Sequence, residues 1–300
     1  MQGILIVNKP KGMTSHDVVA FVRRTFAMRQ VGHTGTLDPD AEGVLPVLVG
    51  RATKLSDLLT ADEKSYTARV QLGVITDTYD MSGTVRETGS VNVSEQELSD
   101  VLKEFLGKQK QIPPMYSAIK MNGKKLYQLA RQGVEIERPP REITVHRLQV
   151  SDFDTKNNSF SLEIDCSKGT YIRSLCHDIG QRLGCGACMA ELVRTRSGSF
   201  TIEQSFSPEE IAQKAQEGCA EEILISIEDA LCRYPKLAVS EENATKIRNG
   251  LRLRTEQLGL AAQVGDFFRL YDRSGLFCLI SVIADDAGTP IIKLEKTFFS

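Results

Sequence analysis

Between Gln30 and Gly50 the chain reads QVGHTGTLDPDAEGVLPVLVG, and this stretch limits the possible folds more than any other. Glycines at Gly32, Gly35 and Gly43 and prolines at Pro39 and Pro46 forbid one continuous helix. Asp38 precedes Pro39, so its backbone is pushed toward an extended or turn conformation. The run Val44-Leu45-Pro46-Val47-Leu48-Val49 then reads as buried. The pattern predicts a polar loop clamped to a core element, with one carboxylate on display. An aspartate before proline, taken alone, reads as a turn or a helix cap.

Around this stretch the chain alternates strands and helices. Gly3 to Val7 reads as a short strand and Asn8 to Gly12 as a turn whose lysines, Lys9 and Lys11, could reach phosphate. Ser15 is placed to cap a helix with Asp17 in its first turn and Val18, Val19, Phe21, Val22 and Phe26 as its apolar stripe. Lys64 to Gly73 reads as a strand with Tyr66, Ala68, Val70 and Leu72 on one face. By period alone Tyr66 is a core aromatic. Thr76 to Asp80, followed by Gly83, is a polar loop with no evident role. Ser94 and Glu97 form a capping box for a helix that stops at Gly107. Residues 143–150 and 160–166 read as an antiparallel pair, with a phase slip between Val145 and Leu148 that predicts a bulge. A helix with Ile172, Leu175, Cys176, Ile179 and Leu183 inward follows and ends at Gly184.

Composition narrows the function. A hydrophobic fraction of 41% supports a sizeable core, and no run approaches the ~20 apolar residues of a membrane span. The N-terminus carries no signal-peptide pattern, so a cytoplasmic chain is expected. Seven cysteines, an odd number, read as reduced thiols. Cys185 and Cys188 have zinc-ligand spacing with His177 nearby, but there is no second such pair, and no metal is expected. A net charge of −2 does not advertise a nucleic-acid binder. Its distribution does: residues 103–147 hold ten lysines and arginines against four glutamates, which reads as an RNA-facing surface or a solvated helix face.

Four strings then act together: NKPKGMTS, GHTGTLDPDAEGVLPV, KGTYIRSL and AELVRTRSG. In this order they resemble the motifs of the pseudouridine synthases that act on the TΨC arm of tRNA, in their bacterial branch. The resemblance covers residues 3 to about 203 and, more loosely, the tail. It implies that Asp38 is the catalytic aspartate and Arg173 its cationic partner. It implies that Tyr66 stacks on the target uracil, Tyr171 walls the pocket, Leu192 excludes water, and His33 fills the gap left by a flipped-out base. Lys9 is carried over as a substrate-binding lysine. No cofactor or metal is required, because one glycosidic bond is exchanged for another. The partner would be the T-arm of tRNA, bound by a monomer without an obligatory protein partner.

The expected fold is α+β, a mixed, mainly antiparallel sheet flanked by helices. Residues 1–232 would form the catalytic domain, with a thumb-like RNA-binding insertion at about 108–142. Residues 233–300 would form a small β-rich module that corresponds in position to the PUA domain. Two other readings remain on sequence grounds: an RNA-binding or RNA-folding protein without catalysis, and a hydrolase using Asp38. The second would need another acid or a metal cluster to activate water.

Overall fold

The structure, a computed structural model, describes residues 1–60, 63–121 and 123–298. Residues 299 and 300 of the expected C-terminal module lie outside this set.

The chain opens with β1 (Gly3–Lys9) and α1 (Ser15–Thr25). The cap of α1 is Thr14, not Ser15: Thr14 Oγ1 accepts from the Asp17 N–H, and the Asp17 carboxylate accepts from the Thr14 N–H, a reciprocal capping box. Ser15 is freed from capping and instead bonds the loop that carries Asp38, described below. Then come β2 (Val31–His33), β3 (Glu42–Val49), a 3-10 turn over Gly50–Leu55 and α2 (Ser56–Thr60). The run from Val44 to Val49 is buried throughout, as its composition predicts.

Next are β4 (Lys64–Leu72), the exposed hairpin of β5 (Val74–Thr76) and β6 (Val85–Thr88), α3 (Glu95–Glu104) and β7 (Gly107–Gln111). Ser94 and Glu97 cap α3 as expected. The insertion beyond β7 holds a small ribbon of β8 (Lys120–Met121) and β9 (Lys124–Lys125), then α4 (Leu126–Ala130). β10 (Arg141–Asp154) and β11 (Ser159–Cys166) pair antiparallel, and the register shifts between Val145 and Arg147, where the phase of the sequence slips. α5 (Ile172–Arg182) and β12 (Ala187–Ser197) follow, then β13 (Phe200–Thr201), α6 (Pro208–Gln216) with proline in its first turn, β14 (Leu224–Ile225) and α7 (Ile227–Ala230).

Among the described residues, ten strands join in one sheet with the order β14-β1-β3-β12-β4-β11-β10-β7, β2 pairing with β3 and β13 with β12. Every pairing in it is antiparallel except β3 with β12. The main core lies between this sheet and α1, α3, α5 and α6, and includes Val18, Val22, Leu98, Leu175, Ile179 and Ile211. The sheet forks at β3. Its first residues, Glu42 and Gly43, pair with β12, and its last, Val47 to Val49, pair with β2. Pro46, which has no N–H to donate, falls at the gap between these partners. The loop carrying Asp38 leaves the sheet at this fork.

A β module closes the chain: β15 (Lys236–Ala238), α8 (Glu241–Arg248), β16 (Phe267–Asp272), β17 (Gly275–Ala284) and β18 (Pro290–Thr297). Ala244, Ile247, Leu270, Phe277 and Ile280 make its core. Leu279 and Phe298 instead join Ile4, Leu48 and Leu55 in a second cluster beneath β1 and β3. Arg51 Nη1 and Lys54 Nζ donate to the carbonyls of Phe298 and Thr297 at 2.7 and 2.8 Å, so the module is fastened to the large sheet. Among the described residues no helix is long and apolar enough to cross a membrane.

Candidate active site

The loop from Thr34 to Ala41 has no helix or strand of its own, so other side chains fix its shape. Three buried groups do this. Ser15 Oγ accepts from the Leu37 N–H at 2.9 Å and donates to the Leu37 carbonyl at 3.2 Å. Lys9 Nζ donates to the carbonyls of Pro39, Met13 and Pro10 at 2.9, 2.6 and 2.9 Å. Arg194 donates from Nε to the Val44 carbonyl at 2.7 Å and from Nη2 to Gly35 at 3.1 Å. Leu37 and Ala41 anchor the loop on either side of Asp38, both in the core. Gly43 pairs with Arg194 at φ +97°, and a Cβ there would lie 2.3 Å from the Arg194 carbonyl oxygen.

The expected phosphate contact of Lys9 is corrected by this geometry. Its side chain is fully buried and all its donors point at backbone carbonyls, so the ammonium clamps the loop from inside. Burial pushes its pKa down to about 8, against the pull of Asp40, Glu42 and Asp38.

Asp38 projects from this clamped loop with 40% of its side chain accessible. Arg173, in the first turn of α5 and 5% exposed, meets it at two points: Nε to Oδ2 at 2.9 Å and Nη2 to Oδ1 at 3.1 Å. The rest of the guanidinium is also committed. Nη1 donates to the Thr78 carbonyl at 3.2 Å and lies 3.5 Å from Asp80 Oδ2, while Nη2 donates to the Tyr116 carbonyl at 2.9 Å. Asp80 is held in turn through Oδ1, which accepts from Thr78 Oγ1, the Ser82 N–H and Ser82 Oγ at 2.7, 3.0 and 2.6 Å. Arg173 is thus a fixed fork between two carboxylates. Burial raises the Asp38 pKa; Arg173 opposes this and the negative Asp80 adds to it. Arg173 thus favours the ionised form of Asp38, but burial outweighs it.

Tyr66 and Tyr171 flank this pair closely enough for the charge on Asp38 to act on both hydroxyls. Burial raises both, so both rings carry neutral hydroxyls at pH 7. Tyr66 is half-buried and packs against the main core, as its period predicts. Arg194 stands opposite it in the β4–β12 register and draws its pKa back down. Leu192 lies on β12 two residues from Arg194 and is buried. His33 stands to one side, its ring centroid 5.7 Å from that of His16 in an edge contact. Burial, then His16 and Arg194, push its pKa down, leaving a neutral ring.

Asp80, Arg194 and Tyr116 had no assigned part in the sequence reading, and Ser15 was read only as a helix cap. Asp80 lies in the polar loop already singled out, and Arg194 in the last of the four strings. Asp80 has near partners in Thr78 and Ser82, which read as an ordinary polar turn, but the contact that gives it a part in the site, Arg173, is far away in the chain, as is Gly35 from Arg194 at 159 positions. Five cysteines are inert through burial: Cys166, Cys176, Cys185, Cys188 and Cys278 are buried, and burial raises Cys166 and Cys188 to about 11. Cys219 is half-buried and Cys232 exposed. Among the described residues no group of His, Cys, Asp or Glu is arranged to hold a metal.

Comparison with known proteins places this geometry. Residues 23–172 match the model for the TruB family pseudouridylate synthase N-terminal domain. Residues 173–232 match that for the tRNA pseudouridylate synthase B C-terminal domain. The chain belongs to the TruB family. Among its TruB relatives, the tRNA pseudouridine synthase B of Bacillus cereus strain ATCC 14579 is 48% identical over 262 residues, 85% of each chain. That of Bacillus subtilis strain 168 is 42% identical over 302 residues, 99% of this chain and 97% of the other. Among solved structures, the chain is similar to one in the crystal structure of a Cbf5-Nop10-Gar1 complex, with a TM-score of 0.76 and 27% identity over 99% of this chain and 85% of that one. The mixed, mainly antiparallel sheet is thus the pseudouridine synthase fold. The ion pair of Asp38 and Arg173 joins the two matched segments of this TruB chain.

Proposed function

We propose that the chain isomerises uridine to pseudouridine at position 55, in the TΨC loop of tRNA, with Asp38 acting on the nucleotide. The observation that carries this is the two-point pair of Asp38 and Arg173, with Tyr66 and Tyr171 on its flanks. In the reaction the bond from N1 of uracil to ribose C1′ breaks and a bond from C5 to C1′ forms. The C5 proton leaves and N1 gains one. Asp38 begins this either by adding covalently to the nucleotide or by deprotonating the sugar, and both routes need its ionised form. The Arg173 fork fixes the direction of the carboxylate before substrate arrives. Tyr66 stacks on the detached base, Tyr171 walls the pocket and Leu192 keeps water out. His33, neutral and beside the loop, stacks into the space left by the flipped base, a step that costs a few kcal/mol.

The RNA-facing surface is the insertion. Lys108, Lys110, Lys120, Lys124, Arg131 and Arg141 have no carboxylate within ion-pair distance among the described residues, and all six are exposed. They suit the phosphates of a folded arm recognised by shape. In the C-terminal module, which would act as a PUA-like RNA contact, Arg252 and Arg254 are exposed while Lys246 and Arg248 are taken by Glu242 and Asp272. The protein would act as a monomer, in the cytoplasm, with no protein partner.

The test uses tRNA transcript tritiated at uracil C5. Release by the wild type, none by Asp38→Ala, and a single product mapped to the T loop is the expected result. Tight binding of tRNA with tritium retained would overturn the reading.

A further inference from the structure

Tyr171 occupies the N-cap of α5, yet its side chain makes no capping bond. Its backbone groups are taken by a distant side chain. Gln111, the last residue of β7, accepts from the Tyr171 N–H through Oε1 at 2.8 Å. Through Nε2 it donates to the Tyr171 carbonyl at 3.0 Å. The carboxamide therefore grips the backbone on both sides of one Cα, as a neighbouring strand would. Only this orientation of the amide satisfies both groups. Gln111 is 4% exposed, so water does not replace either bond.

The same segment goes on making contacts. The Ile112 carbonyl accepts from Ser174 Oγ at 3.2 Å, and the Tyr116 carbonyl accepts from Arg173 Nη2 at 2.9 Å. Residues 111–116 are the root of the insertion that carries the free lysines. Residues 171–174 are the turn of chain that presents both the Tyr171 ring and the Arg173 fork.

We propose that Gln111 is a positioning residue: its carboxamide sets the backbone of Tyr171, and with it the seat of Arg173 beside Asp38, and so ties the root of the RNA-holding insertion to the catalytic pair. This deepens the proposed function and rests on it for the activity readout alone. Without the carboxamide, the Tyr171 N–H loses its partner and the Tyr171 carbonyl keeps only the Leu175 N–H at 3.0 Å, so the turn relaxes to satisfy the freed N–H. A shift of about 1 Å in a positioning group costs on the order of 10²-fold in rate.

Gln111→Glu separates this role from mere packing. An ionised glutamate accepts from the Tyr171 N–H but has nothing to donate to the carbonyl; the protonated acid does both. Burial raises the pKa of such a carboxyl, while Arg141, opposite Gln111 in the β7–β10 register, opposes the rise. Wild type, Gln111→Ala and Gln111→Glu are compared from about pH 8 to about pH 5.5. Single-turnover tritium release and tRNA affinity are measured, together with hydrogen exchange of segment 168–176 in the free protein.

The expected result is a single-turnover rate lowered on the order of 10²-fold in Gln111→Ala, with tRNA affinity near that of the wild type. In Gln111→Glu the deficit, taken against wild type at the same pH, shrinks as the pH falls. Exchange in 168–176 quickens in Gln111→Ala, and in Gln111→Glu only at the higher pH. A Gln111→Glu deficit that ignores pH, or unchanged exchange at 168–176 in both variants, overturns the proposal. The exchange arm needs no substrate, so an inactive wild type would count against uridine isomerisation while the positioning role is still decided. If Gln111→Ala does not fold, Gln111→Glu compared with wild type at each pH decides alone.

Discussion

Asp38 and Arg173 are 135 positions apart in the chain and meet through two hydrogen bonds, at 2.9 and 3.1 Å. Neither can move alone. Asp38 sits on a loop pinned by Lys9, Ser15 and Arg194, and Arg173 spends its other donors on Thr78, Tyr116 and Asp80. The carboxylate is therefore oriented before any substrate binds. That order of events is what lowers the entropic part of a barrier.

Arg173→Lys tests the fork. A lysine keeps the charge but supplies a point donor in place of a planar one, and cannot reach Asp38, Tyr116 and Thr78 together. Single-turnover tritium release should fall on the order of 10²-fold or more, with tRNA binding by filter assay largely retained. A lysine variant with wild-type turnover would show that charge alone suffices.

The pH profile tests the electrostatics. The proposed reaction needs ionised Asp38, so activity should be lost as pH falls through its pKa. That pKa is raised, first by burial, so the acid limb of kcat/KM should lie above the ordinary aspartate value of about 3.9. Asp80 contributes to the rise, and Asp80→Asn removes a negative charge that favours the protonated form. In that variant the limb should move to lower pH, with a reduced plateau because Arg173 loses a partner. A limb that stays in place or moves up contradicts the assignment.

Lys9→Met tests whether this lysine clamps or binds. Three buried carbonyls lose their donor, so stability should fall by about 1–3 kcal/mol in urea denaturation. The salt dependence of tRNA affinity should keep its wild-type slope. Lys108→Ala and Lys110→Ala should instead each reduce the slope by about 1 while leaving the urea midpoint unchanged. A reduced slope in Lys9→Met would restore the phosphate contact.

Gly43→Ala tests the fork in the sheet. The φ of +97° and the 2.3 Å approach to the Arg194 carbonyl leave no room for a Cβ. A loss of about 2 kcal/mol or more is expected, and with it slower turnover, because the same shift displaces the partner of Tyr66 and Gly35. Thermal and urea midpoints equal to wild type would show that the strand relaxes freely.

Local order was legible in the chain wherever it rests on near neighbours. The capping box of Ser94 and Glu97, the bulge after Val145, the proline-started α6 and the buried run of β3 all follow from residues within a few positions. The cap of α1 was misplaced by one residue, because Thr14 and Ser15 have equivalent hydroxyls and only the fold shows which one the Leu37 backbone claims.

By itself the sequence determined the elements, the loop that displays Asp38 and, through its four strings, the family. The resemblance of those strings also named Asp38 and Arg173, which meet in the structure. Only the tertiary structure decided what each charge does. Lys9 clamps from within, Asp80 shares Arg173, Arg194 lies under Tyr66, and Gln111 holds Tyr171. The reason is physical. A charged side chain has no fixed role until burial and long-range partners set its solvation and its hydrogen bonds, and these partners are brought together by the sheet rather than by the chain.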